Sequence, residues 1–153
     1  DWATLFDAAR ILPNIKFVGI ARKRNFDFTK NIPDNCDMYF DTEVDFFYKI
    51  LNNCSVVALP LISNFASGLV VLGYSAAYCK PVIVTKTSCT VNYVKDMETG
   101  ILLEKMEDPN DLANAIDILI KDEELQYKLA TSFSNYMRLN HSQNEYAKKI
   151  LKF

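Results

Sequence analysis

Two kinds of segment alternate along the chain: short runs of apolar residues, and longer stretches whose apolar positions have a helical spacing. Apolar runs of about five residues, several of them β-branched, predict buried strands. These runs occupy residues 15–21, 36–40, 55–59, 81–85 and 99–103. Apolar stripes of helical period predict helices at residues 1–12, 43–52, 69–79 and from 108 onward, with further helical segments at 123–140 and 142–153.

This alternation predicts an α/β fold, because parallel strands joined by helices are covered on both faces of their sheet. We expect a Rossmann-like doubly wound parallel sheet of about five strands, with helices on both faces and a helical C-terminal tail. The 153 residues suit a single domain, and a content of 50% hydrophobic and 24% charged residues is typical of globular proteins.

Charge and hydropathy argue against several classes of partner. The net charge of −2 lacks the basic surface of a nucleic-acid-binding protein, so no nucleic-acid partner is expected. No apolar run approaches the roughly 18 residues of a membrane-spanning helix. The first residues also lack the pattern of a signal peptide, so none is expected.

The cysteines and the single histidine form no recognisable catalytic or metal-binding pattern. Cys36, Cys54, Cys79 and Cys89 make no C-x-x-C pair, so each is expected to be a small buried residue in a reducing compartment. His141 lies in a polar segment without a serine or carboxylate constellation, which argues against triad and metal chemistry. Neither a G-x-G-x-x-G motif nor a P-loop is present.

The carboxyl ends of the predicted strands are where an open parallel sheet binds its ligands. The loop after the third strand ends in Ser67-Gly68, directly before an apolar helix. The free N–H groups of a helix N-terminus suit a phosphate or diphosphate, and Gly68 would let the ligand approach the backbone closely. The simpler alternative is that Ser67 only caps a buried helix.

Five short motifs follow one another between residues 56 and 109. They read V-V-A-L-P, G-L-V-V-L, Y-C-K-P-V-I-V-T, E-T-G-I-L-L and D-P, at residues 56–60, 68–72, 78–85, 98–103 and 108–109. In this order and at this spacing they resemble the donor-binding C-terminal domain of GT-B glycosyltransferases, especially the retaining family-4 type. The resemblance covers nearly the whole chain and is looser before residue 55. It implies a domain that holds a nucleotide sugar.

The resemblance also assigns residues to the donor site. Backbone N–H groups of the helix start would bind the diphosphate, at Ser67, Gly68, Leu69 and Val70. The nucleotide and sugar pocket would include Arg22, Lys23, Phe40, Asp41, Phe65, Gly73, Thr85, Lys86 and Thr90. In retaining members the donor phosphate itself assists the reaction, so no catalytic residue, metal or cofactor is expected in this chain.

The chain departs from the family pattern at its acidic positions. Both glutamates of the E-x7-E motif are replaced, by Phe65 and Gly73, and Asn92 stands where an acid is frequent. In the family these glutamates contact hydroxyls of the donor sugar and of the ribose. The replacements imply either a differently oriented nucleotide sugar or a domain that no longer performs this task.

A second departure concerns the start of the sheet. Residues 1–4 match the helix that follows the first family strand, and that strand is central to the sheet. We therefore expect a hole or a substituted partner strand in the middle of the sheet. We also expect the chain to be a fragment of a longer two-domain protein, with most acceptor contacts upstream.

The sequence leaves three functions open. The favoured one is the donor-binding half of a glycosyltransferase, whose partners are a nucleotide sugar and, through an N-terminal domain outside this chain, an acceptor glycan or lipid. Peripheral membrane association through that missing half is one option, and a cytoplasmic location is expected. The alternatives are a non-catalytic scaffold or partner subunit of a glycosylation complex, and another doubly wound domain such as an epimerase half or a flavodoxin-like regulator.

Overall fold

Parallel strands and helices alternate throughout the part of the chain that the structure describes. The structure is a computed structural model, and it describes residues 1–29, 31–64, 67–142, 145 and 147. The strands are β1 (Phe17–Ala21), β2 (Cys36–Phe40), β3 (Val57–Leu59), β4 (Val82–Thr85) and β5 (Ile101–Leu103). The helices are α1 (Trp2–Ile11), α2 (Val44–Asn53), α3 (Leu69–Ala77), α4 (Pro109–Lys121) and α5 (Glu123–Asn140). The predicted α/β class and doubly wound arrangement are confirmed.

Aspartate side chains start three of these helices. Asp1 accepts a hydrogen bond from the Thr4 amide at the start of α1. Asp108, followed by a proline at the first helical position, caps α4, and Asp122 caps α5. A capping carboxylate satisfies free N–H groups and complements the helix dipole. None of the described helices is both long and apolar enough to cross a membrane, and the predicted helix at 142–153 lies almost entirely outside the described residues.

Strand β4 is the best-covered strand, because it has a neighbour on each side and helices on both faces. Its four residues are all buried. Ile83 belongs to an apolar cluster with residues of α1 and α4, whereas Val82 and Val84 pack with α3 and with Phe133 of α5. The side chains of a strand alternate between its two faces, so this strand joins both halves of the core.

The described strands form two sheets rather than one. β1 pairs with β2, and β4 pairs with β3 and β5, but β1 and β3 are not hydrogen-bonded to each other. The residues of β3 are only half-buried, and Val18 of β1 is 41% exposed. The discontinuity expected in the middle of the sheet is therefore confirmed for the described residues.

One cysteine differs from its predicted environment. Cys36 is buried and Cys54 and Cys89 are half-buried, but Cys79 is exposed, so its predicted burial is wrong. Cys79 follows α3 in a left-handed conformation with φ of 51°. Its amide donates to Ala76 O and the next amide, of Lys80, donates to Ser75 O, which is the Schellman motif that ends a helix. This motif turns the Cys79 side chain toward solvent.

The gap between the two sheets leads to a prediction for amide exchange. The Val57 amide donates to Pro81 O and the Phe17 amide to Asn35 O, so both point toward their paired strands. Because successive peptide groups of a strand face opposite sides, the amides of Val18, Ile20 and Ala58 face the gap. In hydrogen exchange followed by NMR, we expect these amides to exchange on the order of 100-fold faster than those of Gly19 and Val57. Equal protection within each strand would contradict the gap.

Candidate functional site

The N-terminus of α3 opens at the carboxyl ends of the strands. Gly68 is its N-cap residue, with φ of 75°, and no side chain hydrogen-bonds there as a cap. The alternative in which Ser67 caps this helix is therefore wrong. The left-handed conformation, which glycine adopts without strain, lets the chain enter the helix at Gly68 instead. Among the described residues, the first N–H groups of α3 are thus not covered by a capping side chain.

The first turn of α3 lies over the end of β3. A Cβ atom built on Gly68 would lie 3.5 Å from Leu59 Cδ1 and 4.0 Å from Leu61 Cδ2. Leu69 packs against the core cluster formed by α3, β4 and α5, whereas Val70 is 71% exposed. Within the first turn, Leu69 therefore holds the helix against the core while Val70 faces solvent.

Three threonines hold the loop that follows β4. Thr90 Oγ1 donates to Thr85 O at 2.7 Å and accepts from the Thr87 amide at 2.8 Å. Thr87 Oγ1 in turn accepts from the Thr90 amide at 3.0 Å. Thr85 and Thr90 are 1% and 0% exposed, so their hydroxyls are engaged inside the protein instead of being presented to a ligand. They shape the loop, and the ligand contacts that the resemblance assigns to them stay a prediction.

Two hydrogen bonds join this loop to the loop after β3. The Leu61 amide donates to Thr85 Oγ1 at 2.8 Å, and the Ser88 amide donates to Asn64 Oδ1 at 2.7 Å. The route from β3 to α3 therefore lies against the end of β4. Asn64 is a structural contributor that the sequence did not reveal, because its partner is 24 residues away.

The predicted cations lie on different sheets. Lys86 directly follows β4, and its Nζ contacts both carboxylate oxygens of Glu104, at 2.7 and 2.9 Å. Arg22 and Lys23 follow β1 and are exposed. The Lys23 amide donates to Asp41 Oδ1 at 3.2 Å, which links the ends of β1 and β2. Lys86 is thus the predicted cation on the same sheet as the start of α3.

An aromatic cluster surrounds the predicted pocket residue Phe40. The ring of Phe40 lies 4.9 Å from that of Phe26 and 5.1 Å from that of Phe28, between centroids. Phe28 is 62% exposed, so it extends the cluster to the surface. Next to Phe40, Asp41 has a φ of 50° and its amide donates to Ala21 O. Sequence reasoning missed Phe28 because it falls in an irregular segment without periodicity.

The structure describes one of the two positions at which the resemblance places a glutamate. Phe65 lies outside the described residues. Gly73 lies in α3, one turn after the helix start, and a Cβ built there meets no atom within 4 Å. A Cβ atom at position 73 would therefore displace no neighbour.

A surface cavity of about 610 Å³ lies at the opposite edge of the three-stranded sheet. It is lined by residues that precede β3 and β4, among them Cys54 and Pro81, together with Tyr127 of α5. Burial raises the pKa of the Cys54 thiol in this region. Because ligands of open parallel sheets bind at the carboxyl ends of the strands, this cavity is separate from the candidate site.

Comparison with known proteins gives one family match. The sequence model of the family described as glycosyl transferases group 1 matches residues 20–139. No curated protein matches the chain by sequence.

Solved structures share the fold at low sequence identity. The C-terminal domain of a glycosyl transferase group 1 family protein, LpcC, from Francisella tularensis is 22% identical, with a TM-score of 0.74, covering 92% of this chain and 78% of that one. HepE from Anabaena, solved in complex with UDP and glucose, is 17% identical, with a TM-score of 0.81, covering 99% and 44%. Sucrose-phosphate synthase from Thermosynechococcus elongatus is 20% identical, with a TM-score of 0.78, covering 97% and 40%. The chain thus spans less than half of the last two proteins.

The threonine network leads to a prediction for stability. Replacing Thr90 with valine keeps the shape of the side chain but leaves the Thr85 carbonyl and the Thr87 amide without their buried partner. We expect the free energy of unfolding in urea to fall by about 1–3 kcal/mol. The control is Ser88→Ala, which removes an exposed hydroxyl from the same loop and should change stability by less than about 0.5 kcal/mol. A Thr90→Val protein as stable as the Ser88→Ala protein would disprove this role.

Proposed function

Because the chain belongs to the glycosyl transferases group 1 family, we propose that it is the donor-binding part of an enzyme that transfers a sugar from a nucleotide sugar to an acceptor. The observation that carries the proposal is the uncapped N-terminus of α3 at the carboxyl ends of the strands. It is the feature of the described site best suited to a diphosphate, which every nucleoside diphosphate sugar contains.

Elementary electrostatics supports this assignment. The first N–H groups of a helix lack intrahelical acceptors and carry a partial positive charge. A diphosphate oxygen can accept hydrogen bonds from them, and hydrogen bonds to charged groups contribute about 1.5–3 kcal/mol each. Gly68 has no side chain that would stand between the backbone and the ligand. The exposed Val70 adds little obstruction because its side chain points into solvent.

The rest of the donor would extend toward β1 and β2. Phe40 ends β2 and Asp41 follows it, while Arg22 and Lys23 follow β1 at the same edge. The aromatic rings suit a nucleobase and the exposed cations suit the charge of the nucleotide. HepE was solved with UDP and glucose, so UDP and UDP-glucose are reasonable first probes for this chain.

The transfer step itself belongs to the longer protein. We propose that the bond between the sugar and the terminal phosphate oxygen breaks, that the acceptor oxygen forms the new bond, and that the leaving phosphate takes the acceptor's proton. When the acceptor attacks from the face that the phosphate leaves, the sugar keeps its configuration, and the step needs no metal from this chain. The acceptor, a polysaccharide, glycolipid or other glycan, would be held by residues outside this chain. The transfer would take place in the cytoplasm or at the inner face of the membrane.

A second candidate function is a non-catalytic scaffold with the same fold. Gly73 stands where the resemblance places a glutamate that holds the ribose hydroxyls, and the space beside it is empty. A domain that binds no donor would tolerate this loss. The favoured function tolerates it as well, since backbone N–H groups supply the diphosphate contacts.

One prediction from this proposal concerns the start of α3. Val70→Glu places a carboxylate in the first turn, where it favours the helix dipole by about 0.3–1 kcal/mol but repels a bound diphosphate. We expect the affinity for UDP, measured by calorimetry, to fall roughly tenfold or more, a cost of about 1.4 kcal/mol. The unfolding free energy should stay unchanged or rise.

Val70→Gln is the matched control, because glutamine has the size of glutamate but carries no charge. It should bind UDP about as well as the unmodified chain. Equal UDP affinity for the Glu and Gln variants would place the diphosphate elsewhere and overturn the proposal.

Another prediction separates the two candidate functions. In the protein that includes this chain, Gly73→Glu should bind UDP about 3–10-fold more tightly than Gly73→Gln, since a carboxylate accepts strong hydrogen bonds from ribose hydroxyls. The unmodified protein should already transfer sugar from a nucleotide sugar. An unmodified protein that binds no UDP, GDP or ADP derivative, and gains binding only with Gly73→Glu, would favour the scaffold.

A further inference from the structure

The pair formed by Lys86 and Glu104 is fixed by the register of two neighbouring strands. Thr85 of β4 lies opposite Leu103 of β5, so the next residue of each strand also lies side by side. The Lys86 amide donates to Leu103 O at 2.9 Å, which continues the ladder beyond the last paired residues. The Lys86 ammonium then meets both oxygens of the Glu104 carboxylate.

The strand that leads to Lys86 is joined to the loop before α3. Leu61 connects the two places, because its amide donates to Thr85 Oγ1 and its side chain lies 4.0 Å from a Cβ built on Gly68. Lys86 directly follows Thr85. The loop between β3 and α3 contains no lysine or arginine of its own. Lys86 is therefore the cation that follows β4 at the carboxyl ends of the strands.

The charge of Lys86 is neutralised by its partner Glu104. Both side chains remain partly in water, with exposed fractions of 45% for Lys86 and 65% for Glu104. An ion pair between such exposed partners contributes little to stability, so it can be exchanged at small cost. A diphosphate carries more negative charge than one carboxylate and would attract the ammonium more strongly.

We infer that Glu104 competes with the phosphate of the ligand for Lys86, so that Lys86 pairs with Glu104 in the free protein and with the diphosphate in the complex. This inference rests on the proposed function and adds a residue that tunes affinity at its site. Glu104 lowers the affinity for the diphosphate because it occupies the ammonium of Lys86. The alternative is that the pair only ties the ends of β4 and β5 together.

The two possibilities predict different effects on UDP affinity when Glu104 and Lys86 are changed singly and together. If Glu104 acts through Lys86, Glu104→Gln should tighten binding of UDP by about 3–10-fold, and Lys86→Met should weaken it by a similar factor. In a chain that already carries Lys86→Met, adding Glu104→Gln should change the affinity by less than about twofold. A purely structural tie would give no tightening with Glu104→Gln.

The experiment is calorimetric titration of the full chain and its variants with UDP, and with GDP and ADP in parallel, at low ionic strength. Asp37→Asn is the matched control, because Lys16 and Asp37 form a similar pair between neighbouring strands, at 2.7 Å, at the opposite edge of the β1–β2 sheet. This variant removes one negative charge without freeing a cation near α3, so it should leave the affinity unchanged.

The outcomes distinguish a failure of the proposed function from a failure of the competition for Lys86. If the unmodified chain and all variants bind none of the three nucleotides, the proposed function fails and this inference fails with it. If the unmodified chain binds but Glu104→Gln binds equally or more weakly, the proposed function stands and the competition for Lys86 is refuted. Equal tightening with Glu104→Gln and Asp37→Asn would show a general charge effect and would also refute it.

Discussion

The parallel pairing of β4 with β3 on one side and with β5 on the other is the constraint on which the candidate site depends. Parallel strands end at one edge, so the loops that follow all three meet there. The buried Thr85 that ends β4 accepts the hydrogen bond from Leu61, and Lys86 and Glu104 are the next residues of their strands. Loss of this register would therefore move the loop before α3 and the ion pair together.

The site is built mainly from backbone, and this has a consequence for sequence comparison. N–H groups at the start of α3 can be supplied by apolar residues such as Leu69 and Val70 as well as by polar ones. Their positions depend on the helix start at Gly68 and on the threonine-held loop beside it. A helix start of this kind can persist while its side chains change, which fits a shared fold at 17–22% identity.

The parts of the fold that local sequence determines were predictable, and the parts that depend on distant partners were not. The bounds of β2 and α5 agree with the sequence pattern because apolar periodicity and flanking turn or capping residues mark their ends. The strand predicted from residue 55 begins at Val57, since only there does pairing with β4 begin. The Lys86–Glu104 pair needs the register of β4 against β5, which no local pattern contains. Phe65 lies outside the described residues, so its predicted role stays a prediction.

The division into two sheets also separates the candidate contacts by their chemistry. The N-terminus of α3 and Lys86, which suit phosphate, belong to the β3–β4–β5 sheet, whereas Phe40 and the cations after β1 belong to the other sheet. No strand among the described residues joins the two, but one apolar cluster does, since it includes Phe17 of β1 and Ile83 of β4 together with α1 and α4. Side-chain packing against α1 and α4, rather than a backbone ladder, therefore sets the distance between the two groups of contacts. A ligand that reaches both groups of contacts, as a nucleotide sugar would, must match the distance that this packing sets. Substitutions in the α1–α4 layer should therefore alter its binding even though they touch neither group.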